Sequence, residues 1–197
     1  MSEPRPLTPR REVTDFLLTR RSRPARTLVG PGPDRAALEP VLAAGLRVPD
    51  HGKLEPWRLI VLQGAALERL AGLTARLGVE RGMDPDKLAK SQAMFRDAPC
   101  IVAVVATPVE SEKIPEVEQV LSAGAVCLSL LNAASAAGWG AVWLSGWTAR
   151  DRTWLDIGLG LAAPQWVAGF IVIGRETSVP PDRPRPDLDA VTTWADA

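Results

Sequence analysis

Residues 120–137 read VLSAGAVCLSLLNAASAA, and no charged side chain occurs from Gln119 to Ala149. A run of that length approaches the roughly 20 apolar residues needed to cross a bilayer. Yet Ser122, Ser129, Asn132 and Ser135 fall inside it, and Gly138-Trp139-Gly140 breaks it. Small residues on every side of a helix equally suit one buried all round, in a core or at a subunit interface. The serines and the asparagine favour that second reading. The helix then belongs to the centre of a globular fold, covered by its own core and by a partner subunit.

The flanks supply the rest of that core. CIVAVVA (100–106) is a continuous apolar run of buried-strand type, and RLIVLQG (58–64), AVWLSG (141–146) and WVAGFIVIG (166–174) read as three further strands. Thr8-Pro9 reads as a cap and first helical position for a helix carrying Val13, Phe16 and Leu17 and ending near Arg20–Ser22. LVGPGP (28–33) reads as a loop, after which Asp34 caps a second helix with Leu38, Val41, Leu42 and Gly45 on one face. Pro40 lies inside that helix and is expected to bend it or delay its start. Helical patterns also cover 65–77, 86–97 and 149–160, while Pro115 opens the long helix, which reaches about Ala137. The chain is a mixture of helices and strands, and 197 residues suit one domain, 1–197, with 176–197 as an extended proline-rich tail.

Composition excludes several classes of function. Lysine plus arginine equals aspartate plus glutamate at 23 each, so no net field favours nucleic acid or an anionic membrane. Cys100 and Cys127 sit in apolar runs without metal-ligand spacing, as buried thiols do in a reducing compartment. The N-terminus has too short an apolar run for a signal peptide, which leaves the cytoplasm as the expected location. There is no tyrosine to act as an acid, and a single histidine, His51, cannot build a metal site without a cluster of carboxylates and thiols.

The phosphate-binding loops fail on order and content. GWG (138–140) follows a helix and precedes a strand, the reverse of a dinucleotide fingerprint, and GPG (30–32) lacks the P-loop lysine and hydroxyl. No HExxH or GxSxG occurs. Arg20-Arg21-Ser22-Arg23 is different, because adjacent guanidinium groups and a hydroxyl can grip a phosphate through charge-assisted hydrogen bonds. The same run also reads as a solvated basic helix end that complements the helix dipole. His51, in VPDHGKLEPW (48–57), reads by itself as an ordinary turn residue.

Taken in order, RRS after the first helix, PDHGKLEPWRLIVLQG, and a small-residue helix ending in GWGAVWLSG resemble the nitroreductase family of flavoenzymes. The likeness is to its small, single-domain bacterial branch and runs from about Asp15 to Gly174. It implies an α+β fold with a central mixed β-sheet, a long buried helix, and an intertwined homodimer with FMN at the subunit interface. It places Arg20, Arg21 and Ser22 on the FMN phosphate and polar edge from one subunit, and Arg47 and His51 on the same flavin from the other. Trp143, Leu144 and Ser145 would line the flavin face, with Arg185 of RPRPDL (183–188) as a second phosphate ligand. No side chain acts as a nucleophile or metal ligand in this reading. Three positions depart from the pattern: Glu55 replaces a glutamine or small polar residue, Leu144 an arginine, and Pro24 a lysine. Arg23 or Arg26 could restore the lost positive charge near the flavin edge.

The resemblance thus implies an FMN-dependent oxidoreductase. It would take hydride from NADH or NADPH and reduce a small organic acceptor, such as a nitroaromatic or quinone, by a ping-pong route. The alternative is a dimer that binds or stores flavin without NAD(P)H turnover.

Overall fold

One strand near the end of the chain holds the sheet together. In the computed structural model, which describes residues 6–195, β5 (Trp166–Glu176) pairs with β1 (Leu28–Val29), β3 (Cys100–Ala106) and β4 (Gly140–Leu144), while β2 (Trp57–Leu62) pairs with β3. The ends of the expected 1–197 unit, residues 1–5 and 196–197, lie outside the described residues.

All four ladders are antiparallel, where a mixed sheet was expected. The reason is topological. β3 and β4 are both antiparallel to β5, so they run parallel to each other, but β5 lies between them and no parallel pair forms among the described residues. The α+β class and the long, largely buried helix are as expected.

Strand alternation divides the core into two layers. On one face Ile101, Ala103, Val105, Phe170 and Val172 pack under α3 (Ala65–Glu80), α4 (Pro85–Arg96) and α6 (Arg152–Leu159). Phe95, Trp154 and Phe170 meet there at centroid distances of 5.1, 5.4 and 6.0 Å, two of the three pairs edge to face. On the other face Cys100, Val102, Val104, Ile171 and Ile173 pack under α2 (Arg35–Gly45) and α5 (Glu116–Ala136). Because β3 is covered on both sides, all seven of its residues are buried, which is why its sequence does not alternate.

Local signals set most boundaries. The carboxylates of Asp34, Asp84 and Asp151 accept from the backbone N–H groups of Ala37, Lys87 and Trp154 and cap α2, α4 and α6. Others were misleading. The first helix, α1, spans Arg11–Thr19 and starts after Arg10 without a side-chain cap, so Thr8 and Pro9 precede it. α2 runs through Pro40 without a delayed start, and the expected loop at 28–33 begins with the two residues of β1. The tail contains a single helical turn, α7 (Leu188–Val191).

α5 buries Ser122, Ala123, Val126, Cys127, Leu130, Leu131 and Ala134 against the sheet and α2. By length and mean hydropathy it could cross a membrane, yet this face is that of a core helix. Its other face is uncovered within the chain: Val117, Leu121 and Leu128 are 61%, 67% and 46% exposed. Contact with α2 is tightest at Gly45, where a Cβ would lie 2.2 Å from Leu130 Cδ2.

Two outcomes test this packing. Leu130 is fully buried and cannot retreat, so Gly45→Ala should cost roughly 1–3 kcal/mol through overpacking, read as a lower urea midpoint. Burial pushes the thiol of Cys100 up to about 11 and that of Cys127 up to about 12. Both should resist a thiol reagent at pH 8 until the chain unfolds. The folded state keeps protons that the unfolded chain releases, so the urea midpoint should fall as pH rises above about 9.

Candidate functional site

Three groups of residues lie along α5. At its C-terminal end, Arg20, Arg21 and Arg23 line a cavity of about 250 Å³ with Ser135, Gly138 and Trp139. The segment reaches this place because α1 stops at Thr19 and the Arg23 N–H then donates to the Ala141 carbonyl at the start of β4. The tail returns to the same spot. Arg21 donates to the Pro181 carbonyl and to Asp182 Oδ1 (3.1 Å), and Arg185 donates to the same carboxylate at 3.0 Å.

The result is an excess of positive charge. Arg20, Arg21, Arg23, Arg183 and Arg185 converge, and the acids paired with them are Glu176, 2.7 Å from Arg23, and Asp182. Burial first, then repulsion from Arg185, Arg183, Arg21 and Arg23, holds the pKa of Arg20 below its ordinary value. The Arg183 N–H first, then the guanidinium groups of Arg21 and Arg185, hold Asp182 below the usual carboxylate range. Arg20 Nη2 donates to Ser22 Oγ at a long 3.4 Å, and among the described residues Arg20 Nε is buried without a partner. A buried donor without an acceptor is costly. This cluster has the chemistry of a site for a doubly charged anion such as a phosphate group.

At the opposite end of α5 sits His51. Asp50 closes its turn by accepting from the N–H groups of Leu54 (3.2 Å) and Glu55 (2.9 Å), and Gly52, Lys53 and Glu55 have φ of 71°, 56° and 47°. Gly52 suits this turn, because glycine adopts that φ without strain and a Cβ would meet Cδ1 of Ile114 at 2.3 Å. Ser122 Oγ pins both flanks of the turn, donating to the Pro49 carbonyl (2.7 Å) and accepting from Trp57 Nε1 (3.0 Å). His51 is exposed, with Nδ1 2.7 Å from Glu118 Oε2. A carboxylate only accepts, so Nδ1 carries the hydrogen and Nε2 remains for a ligand. Arg47 is exposed just beyond α2, between the Ala44 carbonyl held by Ser129 and the Pro49 carbonyl held by Ser122.

His51 therefore meets Glu118, while the arginine cluster meets Ser135. At about 1.5 Å per helical residue these positions are roughly 25 Å apart along α5. One small ligand cannot bridge that distance within a single chain.

The third group lies where β4 ends. Trp143, Ser145 and Gly146 line a cavity of about 620 Å³ beside the uncovered face of α5, and Trp143 Nε1 donates to the Ala168 carbonyl at 3.3 Å. Leu144 does not join them. Strand alternation turns its side chain to the opposite face, against the α3/α4/α6 layer and beside Arg26. Of the two compensating cations considered, Arg23 joins the cluster and Arg26 does not. Arg183 was missed, although it shares the RPRP run with Arg185. Among the described residues no three His, Cys, Asp or Glu side chains gather as metal ligands.

Known proteins share this arrangement of elements. The sequence profile of the Nitroreductase family matches residues 17–175. An Escherichia coli (strain K12) protein named "Putative NAD(P)H nitroreductase YdjA" is 33% identical over 164 residues, covering 83% of this chain and 87% of the relative. A nitroreductase-like family protein from Bacillus cereus superposes with a TM-score of 0.78 at 19% identity, covering 98% of this chain and all (100%) of that one. A mutant of NfnB, an FMN and NADPH-dependent nitroreductase from Sphigopyxis sp. strain HMH, gives 0.73 at 20% identity over 93% of this chain and 99% of its own. With a family profile spanning most of its length and a relative at this level of identity, the chain belongs to the nitroreductase family.

Proposed function

We propose that this protein is an FMN-dependent NAD(P)H oxidoreductase. In this reading it is a single-domain cytoplasmic homodimer, with each flavin shared between subunits. The observation that carries it is the arginine cluster, whose buried, partnerless Arg20 Nε marks a place built for an anion not supplied by the chain. The naming of NfnB as FMN and NADPH-dependent supports the choice of cofactor. The residues present fit FMN: a phosphate suits the cluster, and an apolar cavity with an indole and a hydroxyl suits the ring system.

Arg20, Arg21, Ser22 and Arg185 would hold the phosphate, with Arg23 and Arg183 adding charge. Asp182, which now bridges Arg21 and Arg185, would give way to it. Arg47 and His51 would serve the flavin anchored by the partner subunit, which their separation from the cluster requires if they serve a flavin at all. Trp143 and Ser145 would line the ring, and Leu144 could contribute only backbone. Covering Leu121 and Leu128 by a second copy would exclude water from the same region.

Bound FMN supplies the chemistry, accepting hydride from NADH or NADPH and passing it to an organic acceptor such as a nitroaromatic or quinone in a ping-pong cycle. The protein orients the rings and sets their electrostatic surroundings.

The decisive measurement is the visible spectrum of purified protein before and after anaerobic NAD(P)H. Flavin absorbance that bleaches supports the reading. FMN that stays oxidised would indicate binding or storage alone, and no affinity for FMN would overturn both. Losing one charge-assisted hydrogen bond costs roughly 1.5–3 kcal/mol, so Arg20→Ala or Arg21→Ala should weaken FMN binding about ten- to hundredfold while the fold remains.

A subunit-mixing experiment tests the shared site. Inactive Arg21→Ala chains and inactive His51→Ala chains are refolded together after both are shown to dimerise. In each heterodimer one site would carry both lesions and the other none. Activity should return, up to about one quarter of the parental value when half of the dimers are mixed. Verified heterodimers without activity would confine both residues to one chain's site.

A further inference from the structure

The cavity beside Trp143 contains one cation that neither the family likeness nor the flavin reading uses. Arg150 follows the short turn Trp147–Ala149, and its guanidinium carbon lies 3.6 Å from the centroid of the Trp166 ring. At that distance the planar group stacks on the indole, which fixes its orientation but occupies none of its five N–H donors.

Its neighbours are committed elsewhere. Arg81 grips both oxygens of Asp151 at 2.9 and 2.8 Å, and Arg152 donates to the carbonyls of Leu161 and Gln165. Among the described residues Arg150 has neither a carboxylate within ion-pair range nor a hydrogen-bond acceptor, although it is fully charged at any physiological pH.

The surroundings narrow what could pair with it. The same cavity, at about 620 Å³, would hold the flavin ring in the reading above and leave room for an acceptor stacked on that ring, within aromatic and aliphatic walls that include Trp143, Trp166, Leu121 and Leu128. Its polar side chains are Ser145 and Arg150, and Arg150 is the only charged one. Flat apolar walls with one oriented guanidinium match a planar aromatic molecule bearing a single carboxylate, which a guanidinium can bind bidentately.

We propose that Arg150, stacked on Trp166, is the specificity residue of the acceptor pocket and selects aromatic oxidants that carry a carboxylate over neutral ones of the same shape. The acceptor role rests on the FMN reading above, whereas the binding preference stands on the cavity alone. For a nitroaromatic acid the reaction balances as in the neutral case. NAD(P)H and one proton deliver two electrons and two hydrogens, the nitro group becomes nitroso, and one water leaves.

The test uses FMN-supplemented parent protein, Arg150→Met and Arg150→Lys, with 4-nitrobenzoate and nitrobenzene as probes. Without reductant, calorimetry should show 4-nitrobenzoate binding weakened roughly ten- to hundredfold in Arg150→Met, with nitrobenzene changed less than about twofold. Arg150→Lys should recover only part of the difference, because a lysine cannot present the fork. With reductant, kcat/KM for the two acceptors should divide in the same way. Equal effects on both probes, or none, would overturn the assignment. So would slower bleaching by NADPH alone, which would give the anion to the nucleotide, or loss of the dimer on gel filtration, which would give it to a subunit contact. Absence of flavin turnover would sink the FMN reading instead, leaving the calorimetric contrast as the judge of Arg150.

Discussion

The burial of α5 against the sheet is the contact on which the other features depend. It needs small side chains, because α2 comes within Leu130's reach at Gly45 and the sheet comes close at Gly169, where a Cβ would lie 2.8 Å from Cys127 Sγ and 2.2 Å from Trp143 Nε1. The close approach is thus secured by glycines on α2 and β5, opposite Leu130 and Cys127 of α5. The same helix holds the His51 turn through Ser122 and Glu118 at one end and borders the arginine cluster at the other. Its 21 residues set the distance between them.

Electrostatics works against folding in the cluster. Five guanidinium groups converge, one with a buried and partnerless nitrogen, and the chain offers them the carboxylates of Glu176 and Asp182. Such an arrangement raises the free energy of the folded chain by itself, and a bound dianion would recover part of it. The thiols contribute nothing comparable. Cys100 and Cys127 are buried packing atoms, held protonated by their apolar surroundings.

Much of this was legible in the sequence because it is local or periodic. The bounds of α5, the buried run of β3 and the Asp34 cap follow from hydrophobic pattern and short-range hydrogen bonding. The RRSR and RPRP runs could be singled out as charge, but nothing local says that residues some 160 positions apart share Asp182. The side of the sheet taken by Leu144 follows from alternation, yet it becomes visible only once the ends of β4 are known. The antiparallel sheet was hidden for a similar reason, since it depends on which strand is inserted between β3 and β4. Thr8-Pro9 shows the opposite failure, a good local signal that nothing downstream uses. Arg150 attracted no attention because stacking on an indole 16 residues away leaves no mark in the spacing.

The place of β5 in the chain has a consequence for synthesis. Among the described residues it is the last strand to leave the ribosome, yet β1 and β4 have no other strand partner there and β3 has only β2 besides. Until residues 166–176 emerge, the nascent chain can form helices and the β2–β3 pair, but the sheet that α5 covers is not complete. For that interval a 21-residue helix without a basic side chain remains uncovered in a crowded cell. The segment that stabilises the finished protein is therefore its chief aggregation hazard during translation, and a pause in translation between α5 and β5 would prolong that exposure.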